Sequence, residues 1–178
     1  MKLARAFGRV APAASIDDVR DQLWNGPDDA GNEKYLSLVL EQYKLCMEMS
    51  DRVSARRGLA NTFFVTVNTS VVTALGVALR DKPANPWLFL PVLVVLLGQC
   101  LAWYWMVRSY RQLNAGKFAV IGALEERLPA AAFWRAEWTA LGEGKDPARY
   151  LQISYVEQLV PTLFAASYLA GFVILLLA

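Results

Sequence analysis

The sequence predicts an all-α integral membrane protein, built as a two-span helical hairpin with long cytoplasmic helical extensions plus a third C-terminal transmembrane helix. Residues 58–79 and 87–107 are two neighbouring stretches of about twenty residues without Asp, Glu, Lys or Arg, which is the length a helix needs to cross a hydrocarbon layer of about 30 Å. Residues 154–178 form another apolar stretch of sufficient length. The composition agrees, because 56% of the 178 residues are hydrophobic, which exceeds the usual share in soluble domains.

Residues 1–31 are predicted to form a flexible basic arm. Lys2, Arg5 and Arg9 are not followed by the apolar core of a secretory signal peptide. Two interpretations stay open: a solvated tail, or a segment attracted to anionic lipid headgroups. Inside the arm, a short helix over Ile16–Trp24 is expected, with Ser15 as its N-cap.

Residues 32–57 are predicted to form a cytoplasmic amphipathic helix that begins after Asn32. Its apolar residues recur at spacings of three and four: Leu36, Val39, Leu40, Tyr43, Cys46, Met47 and Val53. The next glycine or proline is Gly58, so the helix is expected to continue into the first span, with a kink possible at that glycine. The apolar stripe needs a cover, either the chain's own cytoplasmic segments or neighbouring subunits.

The distribution of positive charge predicts the orientation of the hairpin. Arginines and lysines flank its open end at Arg52, Arg56, Arg57, Arg108, Arg111 and Lys117. The joining loop, broken by Pro83 and Pro86, carries fewer. By the positive-inside rule the N-terminus lies in the cytoplasm and the hairpin tip outside.

Residues 108–153 are predicted to form a cytoplasmic helix and loop. The second helix is expected to leave the membrane and end at Pro129, with Gly116 and Gly122 either weakening it or permitting close approach by a neighbour. A short amphipathic helix is expected over Phe133–Leu141. The third span then runs outward and places the C-terminus in the periplasm; a half-inserted anchor is the competing interpretation.

The first span is unusually polar for a membrane helix. Thr62, Thr66, Thr69 and Thr73 follow spacings of four, three and four, so they share one face, and Asn61 and Asn68 lie on a nearby face. Such groups avoid lipid and face protein or water. They form either interhelical hydrogen bonds or the lining of a path between subunits, and Gln99 of the second span is a further candidate partner.

Charged residues gather at the predicted cytoplasmic edge of the spans: Arg56, Arg57, Arg108, Arg111 and Glu157. The arginines are candidates for lipid-headgroup recognition. A salt bridge from Glu157 to one of them is the simpler interpretation of that carboxylate. A proton or ion relay would need a second buried ionisable partner, and the sequence does not suggest one.

Several classes of function are disfavoured by the residues themselves. The chain has no histidine and only two cysteines, Cys46 and Cys100, which are poorly placed to pair. We therefore predict no catalytic residues, no metal site, no cofactor and no enzymatic activity. A net charge of +2 does not favour nucleic-acid binding. The segment Gly142–Asp146 lacks the spacing of a phosphate-binding loop.

Three stretches resemble a known family: 33–64, 108–146 and 150–161, with Arg108–Asn114, Gly116–Phe118 and Gly142–Asp146 as the most specific pieces. They resemble the RipA family of octameric bacterial inner-membrane proteins. The resemblance implies a homo-octamer in the bacterial cytoplasmic (inner) membrane, without catalytic residues to carry over. More distantly, the layout is similar to that of SLATT-type effectors, which are proposed to form pores. The expected function is a non-catalytic homo-oligomeric membrane scaffold, with itself and membrane lipids as partners; a pore along the first span is the alternative.

Overall fold

The computed structural model describes residues 15–29, 31–80, 85–146, 148–151 and 153–177. Within these ranges the regular elements are all helical, which confirms the predicted all-α class. The α-helices are α1 (Ile16–Leu23), α2 (Glu33–Ala78), α3 (Leu90–Glu125), α4 (Trp138–Ala140) and α5 (Ile153–Leu177). Three of them, α2, α3 with the turn before it, and α5, are long and apolar enough to cross a membrane.

The ends of the long helices follow local signals in the sequence. The side-chain oxygen of Asn32 accepts hydrogen bonds from the N–H groups of Lys34 (3.0 Å) and Tyr35 (3.4 Å), which would otherwise lack partners at a helix start. Helix α2 then continues through Gly58 without interruption. A single 3₁₀ turn, Pro86–Phe89, precedes α3, and the Asn85 side chain accepts from the N–H of Trp87 at 3.1 Å.

Some predictions fall on residues that the structure does not describe. They include the basic arm up to residue 14, the centre of the loop at 81–84, and the last residue of the third span. The short helix predicted after Ser15 does form, with a capping box between Ser15 and Asp18, and it ends at Leu23.

The chain divides into two compact units. The first unit contains the chain up to Ser50 together with Gln112–Glu143, and the second contains Asp51–Arg111 together with the chain from Gly144 onward. In the first unit, Arg20 of α1 holds Glu126 through two hydrogen bonds, of 2.9 and 2.5 Å. This guanidinium lowers the pKa of the Glu126 carboxyl.

The first unit is organised around the carboxylate of Glu125, which is 2% exposed at the end of α3. It accepts hydrogen bonds from the Tyr43 hydroxyl (3.1 Å) and from the N–H groups of Phe133 and Trp134 (3.0 Å each). Those two N–H groups begin the next helical segment and need an acceptor. Burial, and secondarily the hydrogen bond to Glu125, raises the pKa of Tyr43 to about 12.

The helix predicted over Phe133–Leu141 is present, but it begins with a π-helical turn instead of an α-helical one. Ala132–Glu137 is a π-helical turn in which the Ala136 N–H donates to the Ala131 carbonyl at 3.1 Å, and the three residues of α4 follow it. Gly122 lets this segment approach α3. A methyl group on Gly122 would lie 2.7 Å from the Trp134 ring and 2.8 Å from Ile16, whereas one on Gly116 would meet open space.

The second unit contains the three apolar helical segments. Its core is formed by Leu93, Leu96, Cys100 and Tyr168. Arg57 pairs with Glu157 and Asn68 with Tyr168, and both pairs are 100 residues apart in sequence, so α2 and α5 run parallel in one register. Helix α3 runs antiparallel to α2, because its Trp103 meets Asn61 and its Cys100 meets Asn68.

The two glycines of α3 provide a matched test of the packing in the first unit. We expect Gly116→Ala to raise the free energy of unfolding by about 0.5–1 kcal/mol, because alanine restricts the unfolded chain and meets open space here. Gly122→Ala should lower it by about 1–3 kcal/mol through overpacking against Trp134. Thermal unfolding of the detergent-solubilised variants, followed by circular dichroism, measures both; equal stabilisation by the two changes would contradict this packing.

Candidate functional site

The polar side chains that the sequence singles out separate into two buried clusters and one exposed face in the second unit. The edge cluster consists of Arg57, Asn61, Trp103 and Glu157. The central cluster consists of Asn68, Cys100 and Tyr168. The threonine face consists of Thr62, Thr66, Thr69 and Thr73 on α2.

The edge cluster joins the three helices through the carboxylate of Glu157. Its Oε2 pairs with Arg57, whose side chain is only 15% exposed, and its Oε1 accepts from Asn61 Nδ2 at 2.9 Å. The side-chain Oδ1 of Asn61 accepts in turn from the Trp103 indole N–H at 2.9 Å. Both oxygens of the carboxylate and both ends of the amide are therefore occupied within one subunit, as a mostly buried ion pair requires.

The central cluster satisfies a fully buried amide. Asn68 is 0% exposed, and its Nδ2 donates to the Phe64 carbonyl of its own helix at 2.8 Å. Its Oδ1 accepts from the Tyr168 hydroxyl at 2.9 Å and lies 3.8 Å from the Cys100 sulfur. The amide thus links α2 to α5 by a strong hydrogen bond and to α3 by a weak one.

Aromatic rings separate the two clusters. Phe64 stacks on Trp103 with ring centroids 5.4 Å apart, and the ring centroid of Phe164 lies 6.1 Å from that of Trp103. Trp103 is 1% exposed. Because these rings fill the space between α2, α3 and α5, the edge cluster and the central cluster are two separate polar sites.

The threonine face points away from the helices of its own subunit. All four of its side chains are exposed, together with Ser70. The hydroxyls of Thr62 and Thr73 donate to the carbonyls of Gly58 and Thr69, one turn earlier, at 3.1 and 2.9 Å. A hydrogen bond within its own helix lowers the free-energy cost of placing a hydroxyl against lipid or a neighbouring subunit.

Three further predicted site residues, Arg56, Gln99 and Arg108, are not members of the clusters and the face defined above. Arg56 is exposed and Gln99 is half-buried. The Arg108 guanidinium lies 5.8 Å from the centroid of the Trp105 ring, within the range of a cation–π contact. Of the candidate charged residues, the structure thus brings Arg57 and Glu157 together directly.

A comparison with protein families agrees with this arrangement of helices. The profile described as the octameric membrane protein family (8xMP) matches residues 40–177, which include all three apolar helical segments. The chain belongs to the octameric membrane protein family. This confirms the resemblance inferred from the sequence and shows that the chain is a self-associating membrane protein. Neither the curated proteins nor the solved structures yielded a significant match.

Sequence reasoning missed three of the partners in this 8xMP chain. Trp103, near the end of the second apolar stretch, is a buried donor to Asn61. Cys100 and Tyr168 read as ordinary apolar-segment residues. One signal was available: Tyr168 is a phenol deep in an apolar helix, and a phenol in hydrocarbon needs an acceptor such as the Asn68 amide.

The central cluster predicts a measurable coupling between Asn68 and Tyr168. In a double-mutant cycle of Asn68→Ala and Tyr168→Phe, we expect an interaction energy of about 0.6 kcal/mol and at most about 1.7 kcal/mol, the range found for hydrogen bonds between membrane helices. Unfolding of the purified protein with rising fractions of SDS measures it. Ser167→Ala is the control, because Ser167 bonds to the Leu163 carbonyl of its own helix. An interaction energy of Asn68 with Ser167 equal to that with Tyr168 would contradict the assigned hydrogen bond between Asn68 and Tyr168.

The edge cluster predicts that removing one charge of the Arg57–Glu157 pair lowers stability more than removing both. Glu157→Gln keeps an acceptor for Asn61 but leaves the mostly buried Arg57 without its counter-ion, so we expect a loss of about 1–3 kcal/mol of stability. Adding Arg57→Gln should restore part of that loss, whereas Arg56→Gln at the exposed neighbour should not. The same unfolding assay measures all four proteins. If adding Arg57→Gln to Glu157→Gln lowers the stability further, charge balance is not what the cluster provides.

Proposed function

We propose that the protein is a non-catalytic, homo-oligomeric scaffold of the bacterial cytoplasmic membrane. The observation that carries this proposal is the use of the buried polar groups. Glu157, Asn61 and Asn68 are the groups in the second unit best suited to chemistry or ion handling, and each is engaged by residues of other helices of the same subunit. Groups held in this way fix the arrangement of helices.

The geometry at Glu157 favours a structural role over a proton relay. A relay needs a second titratable group able to receive the proton, and it needs the carboxylate to change partners. Here one oxygen is paired with Arg57 and the other with Asn61. A carboxylate held between a guanidinium and an amide has fixed partners, which suits a lock between α2 and α5.

We propose that α2 and α3 form a membrane hairpin and that α5 makes a third crossing. The parallel register of α2 and α5 supports this topology, because helices that start at one edge and run in one direction end on the same side. By the positive-inside rule, Arg52, Arg56 and Arg57 favour a cytoplasmic N-terminus and hence a periplasmic C-terminus. The arginines at that edge are suited to contacts with lipid phosphates.

A pore is the second candidate, and the threonine face is the observation that favours it. These four exposed hydroxyl residues lie on the first span and point away from the subunit's own helices. If the octamer turns this face toward its axis, a neutral hydrophilic wall of weak selectivity results. Asn68 is not part of that wall, because its side chain is fully buried between helices.

Flux through liposomes separates the scaffold from the pore. We expect octamers of the purified protein to release no more entrapped potassium or small dye than empty liposomes of the same lipid. Release that disappears in the Thr66→Leu/Thr69→Leu variant, and that persists in Val65→Leu, would establish the pore instead. Val65 is a suitable control because it is also exposed and lies about 40° from Thr69 around the helix, but carries no hydroxyl group. Octamer formation is checked for each variant by native mass spectrometry.

A further inference from the structure

The part of α2 in the first unit has three sectors around its axis. One sector packs within the subunit and contains Val39, Tyr43, Cys46 and Ser50, all buried or half-buried. A second sector is charged, with the ion pair Glu41–Lys44 at 3.0 Å and with Glu48. An amphipathic helix on a protein surface ordinarily has only these two kinds of sector, one packed against the protein and one polar. This helix has a third, which is apolar and exposed.

We define the third sector as the exposed row: Leu38, Leu45 and Met49. The three side chains are 56%, 58% and 55% exposed. At about 100° per residue they fall within a sector of about 40° between the packed sector and the charged sector. The apolar stripe predicted from the sequence does not contain them, so the row is a second apolar surface that the subunit does not cover.

Lipid does not account for the exposed row. The stretch 33–50 carries Glu33, Lys34, Glu41, Lys44 and Glu48, which exclude it from a hydrocarbon layer. In water, an apolar row of this kind marks a protein contact. Its spacings of seven and four are those of a seam along which α-helices of separate chains pack.

We propose that the exposed row is a contact surface between neighbouring copies of this chain in the octamer. The chain self-associates as a member of its family, and the family match begins at residue 40, inside the row. Each copy in a ring needs a second, different patch to receive this surface. The first unit offers exposed apolar side chains for it at Leu113, Phe118, Phe133 and Trp138. The inference rests on the self-association that the proposed scaffold also requires.

Photo-crosslinking in intact cells tests the contact without knowledge of the receiving patch. The photoreactive residue p-benzoylphenylalanine replaces Leu45 in one protein and Lys44 in a matched control, since Lys44 is equally exposed on the charged sector. We expect a product of twice the subunit mass from position 45, with at least about tenfold less from position 44. Mass spectrometry should map both halves of the product to this chain. No product, or capture of a different protein, would overturn the proposal.

Subunit counting provides the second measurement. Leu45→Glu and Met49→Glu place charges on the row without touching the subunit's packed sector, so each should weaken the contact between copies about tenfold or more. Native mass spectrometry should then show octamers replaced by smaller species, while Glu48→Lys, on the charged sector, leaves the octamer intact. Wild-type monomers would count against the proposed scaffold itself. Intact octamers of both row variants, formed by a folded protein with unchanged circular dichroism, would overturn only the present inference.

Discussion

The parallel pairing of α2 with α5 is the constraint on which the rest of the second unit depends. Inside a hydrocarbon layer water does not compensate an unpaired amide or carboxylate, so each such group must find a partner on another helix. Glu157 and Tyr168 supply those partners to Arg57, Asn61 and Asn68. Sliding α5 along α2 by one turn would break both sets of bonds together. Polar side chains thus set the register, while the apolar side chains around them fill space and tolerate more than one arrangement.

The same constraint sorts the polar residues of the first span by role. An asparagine side chain has donors and acceptors that its own helix satisfies only in part, so it requires an interhelical partner and lies inside. A threonine hydroxyl bonds to the carbonyl one turn earlier and then faces outward at little cost. The outward face of α2 in the second unit is therefore mildly polar and self-sufficient. Such a face suits contact with lipid, with another subunit or with a lumen.

Helix type and position were predictable from the sequence because they follow local chemistry. Uncharged stretches of about twenty residues, the Ser15 capping box and the proline-rich connection are local signals, and α1, α2, α3 and α5 lie where those signals place them. The partners within the clusters were less accessible. Four arginines were equally eligible for Glu157, and the packing of the helices, which the sequence does not reveal, selects Arg57. Glu125 lies in a run of charges, Glu125–Arg127, that reads as solvated, and its burial depends on how the chain turns back after Pro129.

The 100-residue separation of the bonded pairs also bears on how the protein is made. Synthesis proceeds from the N-terminus, so α2 is complete long before Glu157 and Tyr168 exist. Until the last helix arrives, the interhelical partners of Asn61 and Asn68 come from α3, at Trp103 and Cys100. Synthesis therefore passes through a stage in which α2 and α3 carry polar side chains whose hydrogen bonds are incomplete, and α5 completes them.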